Sequence, residues 1–277
     1  MRVVESFDYL VIGHVCKDVT PDGFLLGGTA TYSSLTARNL GVRVGVITSA
    51  APDFPLRETL SGIEVLLLPS AETTMFENIY LDGMRRQVIH AVASPISSAS
   101  IPPAWRRSKI VHLGPVAQEL SPDLVEGWGG ALVALTPQGW MRRWDSAGHI
   151  SPCRWKRAEQ LLGTADVLIL SPEDMGGDWS YVKVFAQWTK IVVVTCGWRG
   201  ATVFHQNEMR HSPARPVVEV DPTGAGDIFA AAYLIHLEKT GDPWGSARFA
   251  NCVASFSVEA PGLAAIPTSE QIASCRV

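Results

Sequence analysis

Val220-Asp221-Pro222-Thr223-Gly224-Ala225-Gly226-Asp227-Ile228-Phe229 is the stretch on which the reading of this chain turns. The apolar run Ala230–Leu237 follows at once, so a helix over Gly226–Lys239 is expected to begin inside the glycine-bearing turn. Small residues let a ligand approach the backbone closely, and the first amides of a helix have no internal acceptor. An anion placed there gains hydrogen bonds and the favourable end of the helix dipole. Asp227 falls inside this site as a carboxylate able to take a proton from a hydroxyl that is being phosphorylated; with an ordinary pKa of about 3.9 it is expected to be ionised at neutral pH. Asp221, Thr223 and Asp227 could also simply cap the helix. Capping alone does not call for Gly-Ala-Gly followed by a second acid, so the anion site is the favoured reading. A dinucleotide fold wants GxGxxG after its first strand, and a P-loop ends in Gly-Lys-Ser/Thr; neither pattern is met.

Working outward, short continuous apolar runs rich in Val and Ile alternate with helical segments. The runs are Tyr9–Ile12, Val42–Ile47, Ile63–Leu68, Ile110–Leu113, Ala131–Leu135, Val167–Leu170 and Ile191–Thr195. Unbroken apolarity marks strands buried on both faces, as in a parallel sheet. Helices are expected at Ala30–Leu40, Cys153–Leu162, Trp179–Trp188 and Trp244–Val258, besides the one after the turn. The pattern predicts an α/β fold, a doubly wound, mostly parallel sheet flanked by helices, in a single domain over residues 1–277. Asp82-Gly83 between Thr73–Leu81 and Met84–Val92 is a hairpin signal. With the extended segment 14–26, the segment 73–92 is expected to form a small β lid, or else a merely decorative edge.

The 277 residues are 47% apolar and 18% charged, enough for a large core and too little charge for disorder. Net charge is -4 without any basic run, which argues against a nucleic-acid partner. No stretch suits a membrane span, and Glu5 and Asp8 interrupt any leader near the start. Five scattered cysteines without a CxxC pair speak against a disulfide framework and a zinc site, so a cytoplasmic location is expected. His14 and His112 lie in or after strands and read as core or hydrogen-bonded groups. Trp140, Trp144 and Trp155 read as core or an oligomer contact.

The 221–227 stretch resembles the second signature of the ribokinase-like (PfkB) carbohydrate and nucleoside kinases, and the resemblance runs along nearly the whole chain. Asp8–Asp18 is similar to that family's first strand, ending in an acid that binds acceptor hydroxyls. Gly27-Gly28-Thr29-Ala30-Thr31-Tyr32 is similar to its first signature. Thr195-Cys196-Gly197 with Gly200 resembles its nucleotide-side turn, and Phe249–Val258 with Pro261-Gly262 its terminal helix and loop. The resemblance implies phosphoryl transfer from ATP with Mg²⁺ to a sugar, inositol or nucleoside hydroxyl. It implies Asp227 as base, with Gly224, Ala225 and Gly226 as the anion hole. Asp18, Gly27, Gly28, Tyr32 and Gln138 would hold the acceptor, and Thr195, Gly197, Gly200, Thr223 and Asn251 the nucleotide.

Two departures bear on this. Tyr32 stands where the family often has Asn. The family's Asn-x-x-Glu motif appears as Ser171-Pro172-Glu173-Asp174, leaving Asp174 or Glu173 to serve the metal. Gln138, and with it Arg142, lies just past a strand end, where open α/β sheets collect ligands. A solvated loop is an equal reading there. The resemblance leaves open a monovalent cation near Asp221 and the 261–262 loop, and a homodimer through the lid. Rival readings are a non-catalytic ligand sensor on the same fold, a pyrophosphate-dependent kinase, and an oxidoreductase for which no fingerprint is found.

Overall fold

The structure, a computed structural model, describes residues 6–81 and 84–275. Its strands in chain order are β1 (Tyr9–Ile12), β2 (Cys16–Thr20), β3 (Gly23–Gly27), β4 (Val44–Ala50), β5 (Glu64–Pro69), β6 (Thr74–Leu81), β7 (Met84–Ala91), β8 (Ile110–Leu113), β9 (Leu132–Leu135), β10 (Arg142–Trp144), β11 (Ile150–Pro152), β12 (Val167–Leu170), β13 (Ile191–Thr195), β14 (Ala201–His205) and β15 (Glu208–Ser212). The α-helices are α1 (Thr29–Asn39), α2 (Leu56–Thr59), α3 (Ala158–Leu162), α4 (Ser180–Phe185), α5 (Ala225–Thr240), α6 (Pro243–Ser257) and α7 (Ser269–Ser274).

Nine strands form the main sheet in the order β15-β14-β13-β12-β9-β8-β1-β4-β5. The strands from β13 to β5 run parallel, and the hairpin β14–β15 adds an antiparallel edge that the apolar pattern did not reveal. Alternate side chains explain the unbroken apolar runs. Tyr9, Val11, Val167, Ile169 and Val193 pack against α1, α5 and α6 on one face. Leu10, Ile12, Leu168, Leu170, Val192 and Val194 pack on the other face with α3 and α4. Strand β1 enters the middle; the chain then winds outward through β4 and β5, and returns to wind the other way from β8. The strand order therefore reverses between β1 and β8, and a ligand crevice belongs at their carboxyl ends.

The lid is a separate four-stranded sheet, β3-β2-β6-β7, with β2 parallel to β6 and the other pairs antiparallel. Leu81 stands opposite Met84; the Asp82-Gly83 turn itself lies outside the described residues. His14, at the carboxyl end of β1, ties the lid to the sheet: its Nδ1 is 2.7 Å from Thr74 Oγ1 and its Nε2 is 3.0 Å from Ser94 O.

Two expectations are corrected. The helix foreseen over Cys153–Leu162 is only α3. Trp155 is drawn into a stack with Trp140 (centroids 5.4 Å apart) and an edge contact with Phe185, and that packing holds residues 153–157 out of the helix. The cysteines are not all free: Cys252 and Cys275 form a disulfide between α6 and the end of α7. Among the described residues no helix is long and apolar enough to cross a membrane.

Candidate active site

Helix α5 starts where the turn chemistry places it. Gly224 is its N-cap, with φ of +79°, a left-handed conformation that glycine adopts without steric cost. A Cβ there would also sit 2.5 Å from the Tyr32 ring. Tyr32 is 2% exposed and thus underpins the anion turn. Burial pushes its phenol pKa up. Asp221 braces the same turn: Oδ1 accepts from Thr223 N at 2.9 Å and Oδ2 from Gly262 N at 3.4 Å. Of the three amides in the expected anion hole, that of Ala225 donates to Pro222 O at 3.2 Å. Gly226 and Asp227 lie in the first turn, where helix amides lack internal acceptors.

The Asp227 carboxylate is partly buried and accepts a hydrogen bond from the Thr29 hydroxyl. Burial raises its pKa to about 6; the Thr29 hydrogen bond and the Arg142 charge pull it down, while Asp174 and Asp18 push it up. The sequence-based expectation of an ordinary carboxylate is therefore too low, although Asp227 is still mainly ionised at neutral pH. Those electrostatic partners come from four distant parts of the chain, and the fold brings them together. Asp18 sits mid-strand in β2 opposite Leu25, with Gly27 opposite Cys16 two residues before it. A Cβ at Gly27 would lie 2.2 Å from Asp18 Oδ2, so the missing side chain is what lets the carboxylate occupy this place. Gly28 begins α1 as its N-cap.

Asp174 follows β12 and is held by Ser171, whose N and Oγ donate to Oδ2 at 2.8 and 2.9 Å. Burial raises its pKa against those bonds and the Arg142 charge. Glu173 is exposed. Gln138 opens a 3-10 turn over Gln138–Met141 that leads into Arg142 at the start of β10. The Arg142 guanidinium lies 6.0 Å from the Phe76 ring on the lid. The charge of Arg142 at both Asp227 and Asp174 makes it part of the site, a role that sequence alone left equal to a solvated loop. Thr29 was legible as a signature residue, though not as the partner of Asp227.

Nearer the antiparallel edge of the sheet, Thr195 ends β13, and Gly197 and Gly200 bound a 3-10 turn, with φ of +57° and +97°. Asn251 is buried, and its amide donates to Ser212 O at 2.8 Å and to Ser212 Oγ at 3.1 Å, so it pins the end of β15. Among the described residues no group of three His, Cys, Asp or Glu side chains forms a metal cage. His14 and His112 make hydrogen bonds, as anticipated.

Residues 177–270, which hold the anion turn, α5, α6 and the 261–262 loop, match the pfkB family of carbohydrate kinases. A fructokinase of Salmonella typhimurium is 30% identical over 265 residues, covering 84% of this chain and 85% of that one. The chain belongs to the PfkB family. It is accordingly a small-molecule phosphotransferase. A cytidine kinase of Thermococcus kodakarensis is 28% identical over 251 residues, 82% of this chain and 87% of the relative. Among solved structures, a pyrophosphate-dependent kinase of the ribokinase family, complexed with a pyrophosphate analog and myo-inositol, superposes with a TM-score of 0.82 at 23% identity. That superposition covers 96% of this chain and 99% of the other, and it shows that the PfkB-family fold is the ribokinase fold throughout.

Proposed function

We propose that this PfkB-family enzyme transfers the terminal phosphoryl group of ATP to a hydroxyl of a polyol-like acceptor (a sugar, inositol or nucleoside) bound between the lid and the carboxyl ends of β1, β8 and β9. The observation that carries the reading is Asp227. A carboxylate with pKa near 6 stands in the first turn of a helix whose N-cap is left-handed glycine, and it faces a second acid, Asp18, on the lid. Asp227 takes the hydroxyl proton as the oxygen attacks phosphorus, and a base with pKa close to the working pH suits that transfer. Asp18, Gly27 and Gly28 hold the acceptor, with Gln138 and Arg142 at its other side. The amides of Gly224 and Gly226 steady charge on the migrating phosphoryl group, where alignment and charge stabilisation dominate catalysis, while that of Ala225 is engaged by Pro222 O.

Thr195, Gly197, Gly200 and Thr223 border the donor, and Asn251 shapes that side by fixing Ser212. Trp198, Val218 and Val220 leave apolar surface exposed on the segments next to these turns, which supports a nucleotide donor over bare pyrophosphate. Asp174 and Glu173 fit Mg²⁺ as one or two carboxylates around an ion that otherwise keeps water and phosphate oxygens. When bound, magnesium neutralises donor phosphate charge. The lid supports exclusion of water, which competes as a phosphoryl acceptor.

The test is a panel of fructose and other sugars, myo-inositol, cytidine and other nucleosides, offered with ATP-Mg²⁺ and separately with pyrophosphate. ADP formation with one acceptor class, lost in Asp227→Asn with ligand binding retained, is the expected result. Turnover with pyrophosphate alone would replace the donor. Ligand binding without turnover across the panel would favour a sensor.

A further inference from the structure

The loop that follows β8 carries a buried carboxylate that the phosphoryl-transfer chemistry does not use. Glu119 is 3% exposed, and both of its oxygens accept main-chain hydrogen bonds. Oε1 accepts from His14 N at 3.1 Å and from Val116 N at 3.0 Å. Oε2 accepts from Val116 N at 3.0 Å and from Ala117 N at 2.7 Å. His14, Val116 and Ala117 are themselves buried, so their amides need a protein acceptor. A carboxylate serves several amides at once and holds each more tightly than a neutral oxygen does. All of these partners are N–H donors, which calls for the ionised form.

The three amides come from the two strand ends that flank the crevice. His14 follows β1 and leads into β2, which carries Asp18, whereas Val116 and Ala117 follow β8. The same loop also reaches the turn beyond β9. Pro115 O accepts from Gly139 N at 2.8 Å. A Cβ at Gly139 would lie 2.5 Å from the Pro115 carbonyl carbon, so the turn over Gln138–Met141 comes this close only because a side chain is missing there. Gln118, an exposed residue with φ of +59°, donates from Nε2 to Arg142 O. The main-chain oxygen of Glu119 accepts from Ile96 N at 2.9 Å, on the segment that leaves the lid after β7.

We propose that Glu119 is a positioning residue for acceptor binding: its carboxylate gathers residues 115–119 into a brace that sets the spacing between Asp18 on the lid and Arg142 at the start of β10. Asp18 and Arg142 lie on different small sheets, and the loop is hydrogen-bonded to the approach to each. Glu119 is spent on main-chain amides, so it acts through the loop and not by contact with substrate. The donor side is braced separately, through Asp221 with Thr223 and Gly262. Buried carboxylates need partners in any case, so the claim lies in a selective effect on the acceptor and not only in stability.

The inference rests on the acceptor lying between Asp18 and Arg142, as the kinase reading has it. Two variants and two readouts test it. Glu119→Gln keeps the shape but replaces one accepting oxygen with an NH₂ group that faces N–H donors. Gln118→Ala removes the exposed link to Arg142 and leaves the buried carboxylate intact, so it decides the matter if Glu119→Gln folds poorly. In hydrogen exchange of the unliganded enzyme, followed by mass spectrometry, the amides of residues 138–142 should exchange at least threefold faster in both variants, with β12 and β13 unchanged. With ATP-Mg²⁺ and whichever of fructose, myo-inositol or cytidine turns over, acceptor KM should rise about tenfold in Glu119→Gln and about threefold in Gln118→Ala. ATP KM should stay within about twofold. Faster exchange spread over the whole chain, or equal rises in both KM values, would make the brace merely structural and overturn the proposal. Unchanged exchange at 138–142 in Gln118→Ala would overturn it too. The kinase reading fails separately, as absent turnover in the wild type, because the exchange measurement needs no acceptor.

Discussion

Asp227 begins its helix among groups that pull its proton both ways: burial, Asp174 and Asp18 hold it on, while the Thr29 hydroxyl and the Arg142 guanidinium draw it off. The folded pKa of about 6 lies above the usual carboxylate value, so the unfolded chain releases this proton first. The ionised side chain therefore costs stability, a cost that grows as pH rises from about 4 to 6 and is complete above that. Asp227→Asn is expected to lose about 10²–10⁴-fold in turnover. It should also gain about 1–2 kcal/mol of stability at pH 7.5, after allowing for the partial exposure of the carboxyl. Thermal melts at pH 7.5 and pH 4 check this, because the gain must shrink at the lower pH. In the wild type, kcat/KM should rise through an acid limb near pH 6. Arg142→Gln removes the positive charge that favours both the Asp227 and Asp174 carboxylates. Its limb should move to higher pH, and a limb that stays in place would separate Arg142 from the base. At Gly27 the argument is steric. Gly27→Ala drives a methyl group into Asp18 Oδ2 and should raise acceptor KM about tenfold, with donor KM unchanged.

Among the elements, the lid meets the main sheet at Thr74. Its hydroxyl meets His14 Nδ1 and accepts from Ala93 N at 3.0 Å, joining the start of β6, the end of β7 and the end of β1. Thr74→Val keeps the shape and removes both bonds. Donor hydrolysis without acceptor, followed as phosphate release, should rise relative to transfer, because a looser lid admits water. Unchanged partition would make the contact merely structural. The lid could be anticipated because its strands carry polar residues around an Asp-Gly turn, a pattern unlike the buried sheet. The core strands β1, β8, β12 and β13 were legible for the converse reason: with both faces covered, all their positions but His112 and Thr195 are apolar, and they begin and end where their apolar runs do. Elements set by distant packing were not legible. The stretch before α3 has a helical pattern, yet the Trp140–Trp155 stack claims it. The edge strand β15 is nearly all exposed and has no apolar signal.

Over the whole molecule, the site is drawn from residues 18 to 262, and its legibility followed the local chemistry of each piece. The turn at 221–227 could be read because glycines and acids at fixed spacing have few other uses, while Arg142 could not, since its meaning depends on Asp227 and Asp174 lying beside it in space. The Cys252–Cys275 pairing was hidden in the same way: no spacing rule reveals it, and only the return of α7 against α6 brings the two together. That bond closes a loop with a sequence separation of 23 residues, and within it lies Gly262, which donates to Asp221 in the anion turn. The loop is also held by Asn39 Nδ2 donating to Pro267 O at 2.9 Å and by the Thr268–Gln271 capping box. Loop-closure entropy gives a cross-link of this span about 3 kcal/mol. For a chain of this size that corresponds to roughly 5–10 °C in Tm. The double variant Cys252→Ser, Cys275→Ser should melt lower by that amount, and a dithiol reductant should produce the same shift in the wild type but none in the variant. Because the released segment braces Asp221 on the donor side, donor KM should rise while acceptor KM holds. Equal rises in both constants would mean that the cross-link supports the fold as a whole and not the anion turn.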